Sequence, residues 1–229
     1  MPHTEGFRNS ESLTNWVRYM LYAQILVAVI SIISGYLEYQ LLSDFQNGMY
    51  TSQELAIADA EASDQRQEMI GVLFLVVFVV SGFLILRWIH RANYNARQLG
   101  AENMEFTPGW SIGYYFIPIL TLWKPYQAMK EIWRASKNPS DWSSQTSSTI
   151  LPIWWTLWLI SGALGQAVFR LSRHAEELSE LINLNLVNQA SNFLDIPLAL
   201  VLLAIVNNIY KMQIGQLEFH KKQDIKKDV

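Results

Sequence analysis

The sequence predicts an all-α membrane protein with four transmembrane helices, a short re-entrant or interfacial segment and a cytoplasmic amphipathic helix. Three observations predict it. Four apolar runs, at about residues 19–37, 69–88, 150–169 and 193–210, each match the roughly 20 residues that cross a ~30 Å hydrocarbon core. The 17 basic residues then divide unevenly: 2 precede the first run, 7 lie between Arg87 and Ile150, and 5 follow the fourth run. Only 1 and 2 fall in the remaining loops. By the positive-inside preference, this partition predicts a multi-pass protein of the cell (inner) membrane with both termini and the central segment cytoplasmic. Finally, the apolar stretch from Trp110 to Trp123 is too short to cross: as a helix it would rise only ~21 Å.

Composition narrows the functional classes. With 51% hydrophobic residues the chain could have been one soluble domain, so the blocking of those residues carries the argument. The net charge is −3, and between residues 41 and 68 six acids (Asp44, Glu54, Asp59, Glu61, Asp64, Glu68) face only Arg66. Nucleic acid is therefore excluded as an expected partner. The absence of cysteine removes disulfides, thiolate metal sites and cysteine nucleophiles.

Residues 1–16 read as a polar, mobile leader, residues 17–210 as the membrane domain and residues 211–229 as a basic cytoplasmic tail. Arg8 and Arg18 before the first run, with Ala56-Ile57-Ala58, imitate a signal peptide. The small residues lie too far beyond the run, which predicts an uncleaved first span. The stretch from Glu54 to Glu68 has helical propensity and reads as a solvated helix leading into the second run, with a cation-attracting extracytoplasmic cap as the alternative. The second run leaves through Arg87-Trp88-Ile89-His90-Arg91 and continues as helix to Leu99, where Gly100 is the expected stop. His90 has no histidine partner at its depth, because His174 falls on the opposite side and His3 and His220 lie in the tails.

In the segment 108–123, Pro118 removes a helix hydrogen bond, while Gly109 and Gly113 loosen the backbone. Basic residues on both sides favour the same face, which predicts a hairpin that returns to the cytoplasmic side. Next, Tyr126, Met129, Ile132 and Trp133 recur at helical spacing opposite Lys130, Arg134 and Lys137, an interfacial amphipathic pattern. Its apolar side either docks lipid headgroups or a partner, or covers the helix ends. Asn138-Pro139-Ser140 and the polar run 143–149 form a linker to the third span. There Trp154, Trp155 and Trp158 read as belt anchors, and Ser161 with Gly165 as a small-residue face for close helix approach. Residues 170–192 are expected to extend the third helix or to lie along the outer surface. Asp195, with Pro197, is an intramembrane carboxylate near the start of the fourth span, read as a helix cap or packing residue, and Asn207 and Asn208 are candidates for bonds across helices.

The stretches Phe106-Thr107-Pro108-Gly109-Trp110, Phe116-Ile117-Pro118 and Leu122-Trp123-Lys124-Pro125-Tyr126-Gln127-Ala128-Met129-Lys130-Glu131-Ile132-Trp133-Arg134-Ala135-Ser136 resemble the bacterial domain of unknown function 4328 family. The resemblance covers about Ile70 to Tyr210 and implies a small multi-span membrane protein. Where the family favours asparagine this chain has Thr121, and the resemblance implies no activity. Pro108, Gly109, Trp110, Pro118, Trp123, Lys124, Pro125, Tyr126, Trp133 and Arg134 are the motif positions expected to contact a partner or lipid. The sequence has no HExxH, GxSxG, phosphate-binding glycine loop or ligand-spaced histidine pair, so no catalytic, cofactor-binding or metal-ligating residue is assigned. The favoured reading is a non-enzymatic accessory or scaffold subunit, whose partners are the lipid bilayer and another membrane protein or a second copy. The alternatives are a small-solute or ion transporter element built around Pro118, and a lipid-directed enzyme using Glu131, Arg134 and Lys124.

Overall fold

A computed structural model describes residues 6–227, with side chains to residue 223. The described chain is 82% helical and contains no strand. Its helices are α1 (Glu11–Gln46), α2 (Gln53–Gln98), the single turn α3 (Trp110–Gly113), α4 (Lys124–Lys137), α5 (Ile150–Ser172) and α6 (Leu178–Lys227). Short 3₁₀ turns occupy Tyr114–Phe116, Leu120–Leu122 and Pro139–Asp141. Four of the helices, α1, α2, α5 and α6, are long and apolar enough to cross a membrane. The apolar stretch of α2 is the most bare: Met69, Val72, Leu75, Phe78, Val79 and Phe83 are each more than half exposed. A helix apolar all round is stable only where lipid or protein surrounds it.

The chain forms two compact units. The first comprises Met1–Tyr19, Ser81–Trp155 and Val201–Val229, and the second comprises Met20–Val80 and Thr156–Leu200. In the first unit, Val17, Trp88, Ile89, Met129, Ile132, Ile205 and Ile209 are essentially fully buried. Several polar groups within this core are paired. The Trp88 indole donates to Thr14 Oγ1 at 3.2 Å, Arg18 Nε donates to Asn207 Oδ1 at 2.6 Å, and Gln213 Nε2 reaches the Ala92 carbonyl and Ser136 Oγ. Asn207 thus bonds across helices as expected, whereas Asn208 donates to Ala204 of its own helix.

The supposed leader is docked over its described part, and Glu11 already begins α1. The Arg8 backbone exchanges two hydrogen bonds with the Asn95 amide, and its guanidinium lies 4.4 Å from the Tyr94 ring centre. An asparagine that satisfies both backbone groups of one residue acts as a strand would, and that pairing ties the segment down. Residues 1–5 and 228–229 of the expected leader and tail lie outside the described residues.

In the second unit the helices are tied by polar side chains. Arg66 Nε donates to Ser34 Oγ, Gln67 Nε2 donates to Glu38 Oε2, and Asn185 Nδ2 donates to the same Glu38 oxygen at 2.7 Å. Close helix approach occurs at Gly35, where an added Cβ would stand 3.2 Å from Gln189 Cγ. At Gly165, the glycine proposed for that role from its spacing to Ser161, nothing lies within 4 Å.

Two expectations about residues 170–197 are corrected. Residues 178–192 belong to α6, not to an extension of the third helix, because α5 stops at Ser172. The Glu180 carboxylate turns back to accept the Glu176 and Glu177 N–H groups at 3.0 and 3.2 Å. A carboxylate that satisfies free N–H groups favours a helix start there. Asp195 therefore caps nothing: it lies well inside α6, with Pro197 also in the helix interior.

Candidate functional site

The family motif builds a hairpin in the first unit. Gly100, at φ 102°, ends α2 in the left-handed conformation that favours glycine, and Ala101 N–H returns to the Ala96 carbonyl. The chain then runs back along α2. Asn93 Nδ2 and Arg97 Nη2 both donate to the Phe106 carbonyl, and Arg97 also reaches the Met104 carbonyl. From the other side, buried Glu131 of α4 accepts the Glu105 N–H at 2.5 Å and the Phe106 N–H at 3.0 Å. Lys124 pairs with the Glu105 carboxylate at 3.0 Å and lies over the Phe106 ring. The residue just after the 108–123 segment thus meets one just before it, so the segment leaves and returns to one place.

Burial pushes the Glu131 carboxyl above the usual carboxylate range, while the two backbone N–H donors and Arg97 pull it back. Both carboxylate oxygens are engaged by backbone, which makes this side chain a clamp for the loop.

Beyond the clamp, the segment is broken where proline and glycine predicted. Thr107 Oγ1 accepts the Trp110 N–H, α3 lasts four residues, and Ser111 Oγ closes onto the Pro108 carbonyl. Reversal occurs at Pro118-Ile119-Leu120. Ile119 has φ 70° and ψ −56°, and the Leu120 N–H donates to the Pro118 carbonyl at 2.8 Å. This is the γ-turn of positive φ, a strained conformation costing on the order of 1–3 kcal/mol for a branched residue. Its tip is apolar and open, with Phe116 72% and Ile119 70% exposed, and Trp110, Leu122 and Trp123 also exposed.

The motif positions therefore divide. Pro125 and Trp133 are buried, and Tyr126 packs 6.2 Å from the Trp155 ring, whose indole donates to the Leu122 carbonyl. Gly109, Trp110, Pro118 and Trp123 face outward, Pro108 and Arg134 are half-buried, and Arg134 Nε is buried without a hydrogen-bond partner. The apolar side of α4 covers the helices of its own unit: Met129 and Ile132 are fully buried.

Asp195 belongs to a different site, a cleft of about 540 Å³ inside the second unit. Asn185, Asn188, Asn192 and Asp195 line it from α6, joined by Glu38 of α1 and by Asp64 and Gln67 of α2. Ser161 of α5 donates to Asp195 Oδ1 at 3.0 Å. The α6 residues recur at steps of three, four and three, one face of a helix. That spacing stands in the sequence, but it lines up with Asp195 only once residues 178–192 are known to belong to α6.

An all-α chain with four helices able to cross a membrane and a clamped aromatic hairpin defines the class. The family model described as "Domain of unknown function (DUF4328)" matches residues 51–211, and the chain belongs to that family. The match takes in the acidic start of α2, earlier than Ile70, and leaves α1 outside. Comparison with curated proteins and with solved structures gave no match.

Proposed function

We propose that the chain is a multi-pass protein of the cell (inner) membrane, with both termini cytoplasmic, acting as a non-enzymatic accessory or scaffold subunit. Its contact element is the hairpin 108–123. The observation that carries this reading is the exposed apolar tip at Phe116 and Ile119, held in a strained turn above a base where Asn93, Arg97, Lys124 and Glu131 bond to Glu105 and Phe106, just before the hairpin. Strain concentrates where a protein presents a surface for use, and an apolar tip on a rigid base suits binding. The lipid-directed enzyme reading has less support, since Glu131 and Lys124 are engaged by residues 105 and 106 of the chain itself. The transport reading at Pro118 is weakened because Ser111 bonds to the local backbone.

A photo-crosslinking residue at position 116 in living cells tests the contact. A discrete protein adduct at 116 that is absent for a probe at position 57 is expected, and adducts to lipid alone overturn the scaffold reading. Topology is tested separately with single cysteines, which this cysteine-free chain permits. A probe that cannot cross the membrane should label position 57 and spare 142 and 222 in intact cells. Positions 107 and 127 should behave alike, and labelling from opposite sides defeats the hairpin.

A further inference from the structure

The cleft in the second unit is built from groups that helix packing leaves unused. Asn192 is 7% exposed, lines the cleft, and its side chain makes no hydrogen bond among the described residues. Its amide is not among the buried polar atoms left without a partner, so the donor and acceptor capacity that no helix uses opens into the cleft. One turn further along α6, Asp195 receives Ser161 on Oδ1 only. A carboxylate that can accept about four hydrogen bonds has most of that capacity left. At the other end of the cleft, Glu38 carries a second negative charge, with Asp64 beside it. Arg66 offsets part of the Glu38 charge from a distance, but its hydrogen bonds go to Ser34 and Ser63 and it does not line the cleft.

The spacing of these groups selects the ligand. Asn185, which bonds Glu38, and Asp195 are ten residues apart on α6, which places them ~15 Å apart along the helix. Asn188 and Asn192 supply amide oxygens between them. Among the described residues no three His, Asp or Glu side chains converge as metal ligands do, so the negative charge is spread along a line. Ile70, Phe74, Val168 and Leu184 complete the lining with apolar surface. A volume of about 540 Å³ falls in the range of small organic ligands, roughly 300–1,000 Å³.

We propose that this cleft binds a linear polyamine, an aliphatic chain with two or more ammonium groups, one held at Asp195 and Asn192 and another at Glu38. The methylene segments lie against the apolar lining. Each ammonium donates hydrogen bonds to a carboxylate and to the neighbouring amide oxygens, which engages the Asn192 oxygen and the free Asp195 oxygen.

The test uses the full chain in lipid nanodiscs, titrated calorimetrically with spermidine, and with magnesium chloride as the competitor that any loose acidic surface would prefer. Saturable spermidine binding that survives millimolar magnesium is expected. Asp195→Asn and Asn192→Leu should each weaken it at least tenfold, and Glu38→Gln should weaken spermidine more than butylamine, which carries a single ammonium. Asn192→Leu keeps the size of the side chain and removes an unpaired amide, so its melting temperature should hold or rise while binding falls. Absence of saturable binding by the folded wild type, full displacement by magnesium, or unchanged affinity in both α6 variants each overturns the proposal.

Discussion

The hairpin base and the cleft both concentrate polar side chains among helices, and they use them in opposite ways. At the base, Glu131 accepts two backbone N–H groups, Arg97 reaches two carbonyls and Gln213 joins α2 to α4. In the cleft, Asn192 is unbonded and Asp195 is held through one oxygen. Buried polar groups that satisfy one another fix a structure, whereas those left open are available to something else. The comparison separates residues that shape the protein from residues that can serve a ligand, although both look alike in a sequence.

The sharpest way to break that comparison is Glu131→Ala. It leaves the Glu105 and Phe106 N–H groups without their acceptor, and each such loss costs about 1–3 kcal/mol. A large drop in the detergent melting temperature of the first unit is expected; an unchanged melt would show that Glu131 does not clamp the loop. Glu131→Gln should be milder and more informative. The folded Glu131 carboxyl titrates above its ordinary value, so the folded state takes up a proton that the unfolded chain does not. Stability from this group is therefore greatest at acid pH and falls as pH rises through the raised value. A melting curve recorded across that window should slope in the native protein and flatten in Glu131→Gln.

A smaller effect is expected in the core of the first unit, where Thr14→Val removes the acceptor of the buried Trp88 indole at little change in shape. About 1–2 kcal/mol should be lost, read as an earlier unfolding midpoint. The smallest effect belongs to the hairpin tip. Ile119→Gly relieves a positive φ at a position 70% exposed, and glycine returns part of the gain as chain entropy. A rise of about 1 kcal/mol with loss of the position 116 crosslink would tie the strain to contact. A fall in stability would mean that the Ile119 side chain contributes more than its backbone costs.

Much of the hairpin was legible because its signals are local. Gly100 ends α2 by its own backbone freedom, and Pro118 breaks the segment by its missing N–H. Little of the cleft was legible, because its residues come from four helices and the polar first turns of α6 carry no apolar run to mark its start. A helix that begins at Leu178 rather than near Phe193 turns Asp195 from a cap into an interior side chain.

By itself the sequence determined that four apolar helices exist, that the stretch 110–123 cannot be a fifth of equal length, and that α4 is amphipathic, because length, periodicity and proline act within a few residues. Tertiary structure alone decided which polar groups are spent. Glu131, Lys124 and Asp195 are ordinary charged residues until long-range neighbours are known. A backbone N–H from residue 106 engages one, a carboxylate from residue 105 engages another, and the third retains an open oxygen. Hydrogen-bond satisfaction depends on groups far apart in the chain, and spacing along the sequence does not encode it.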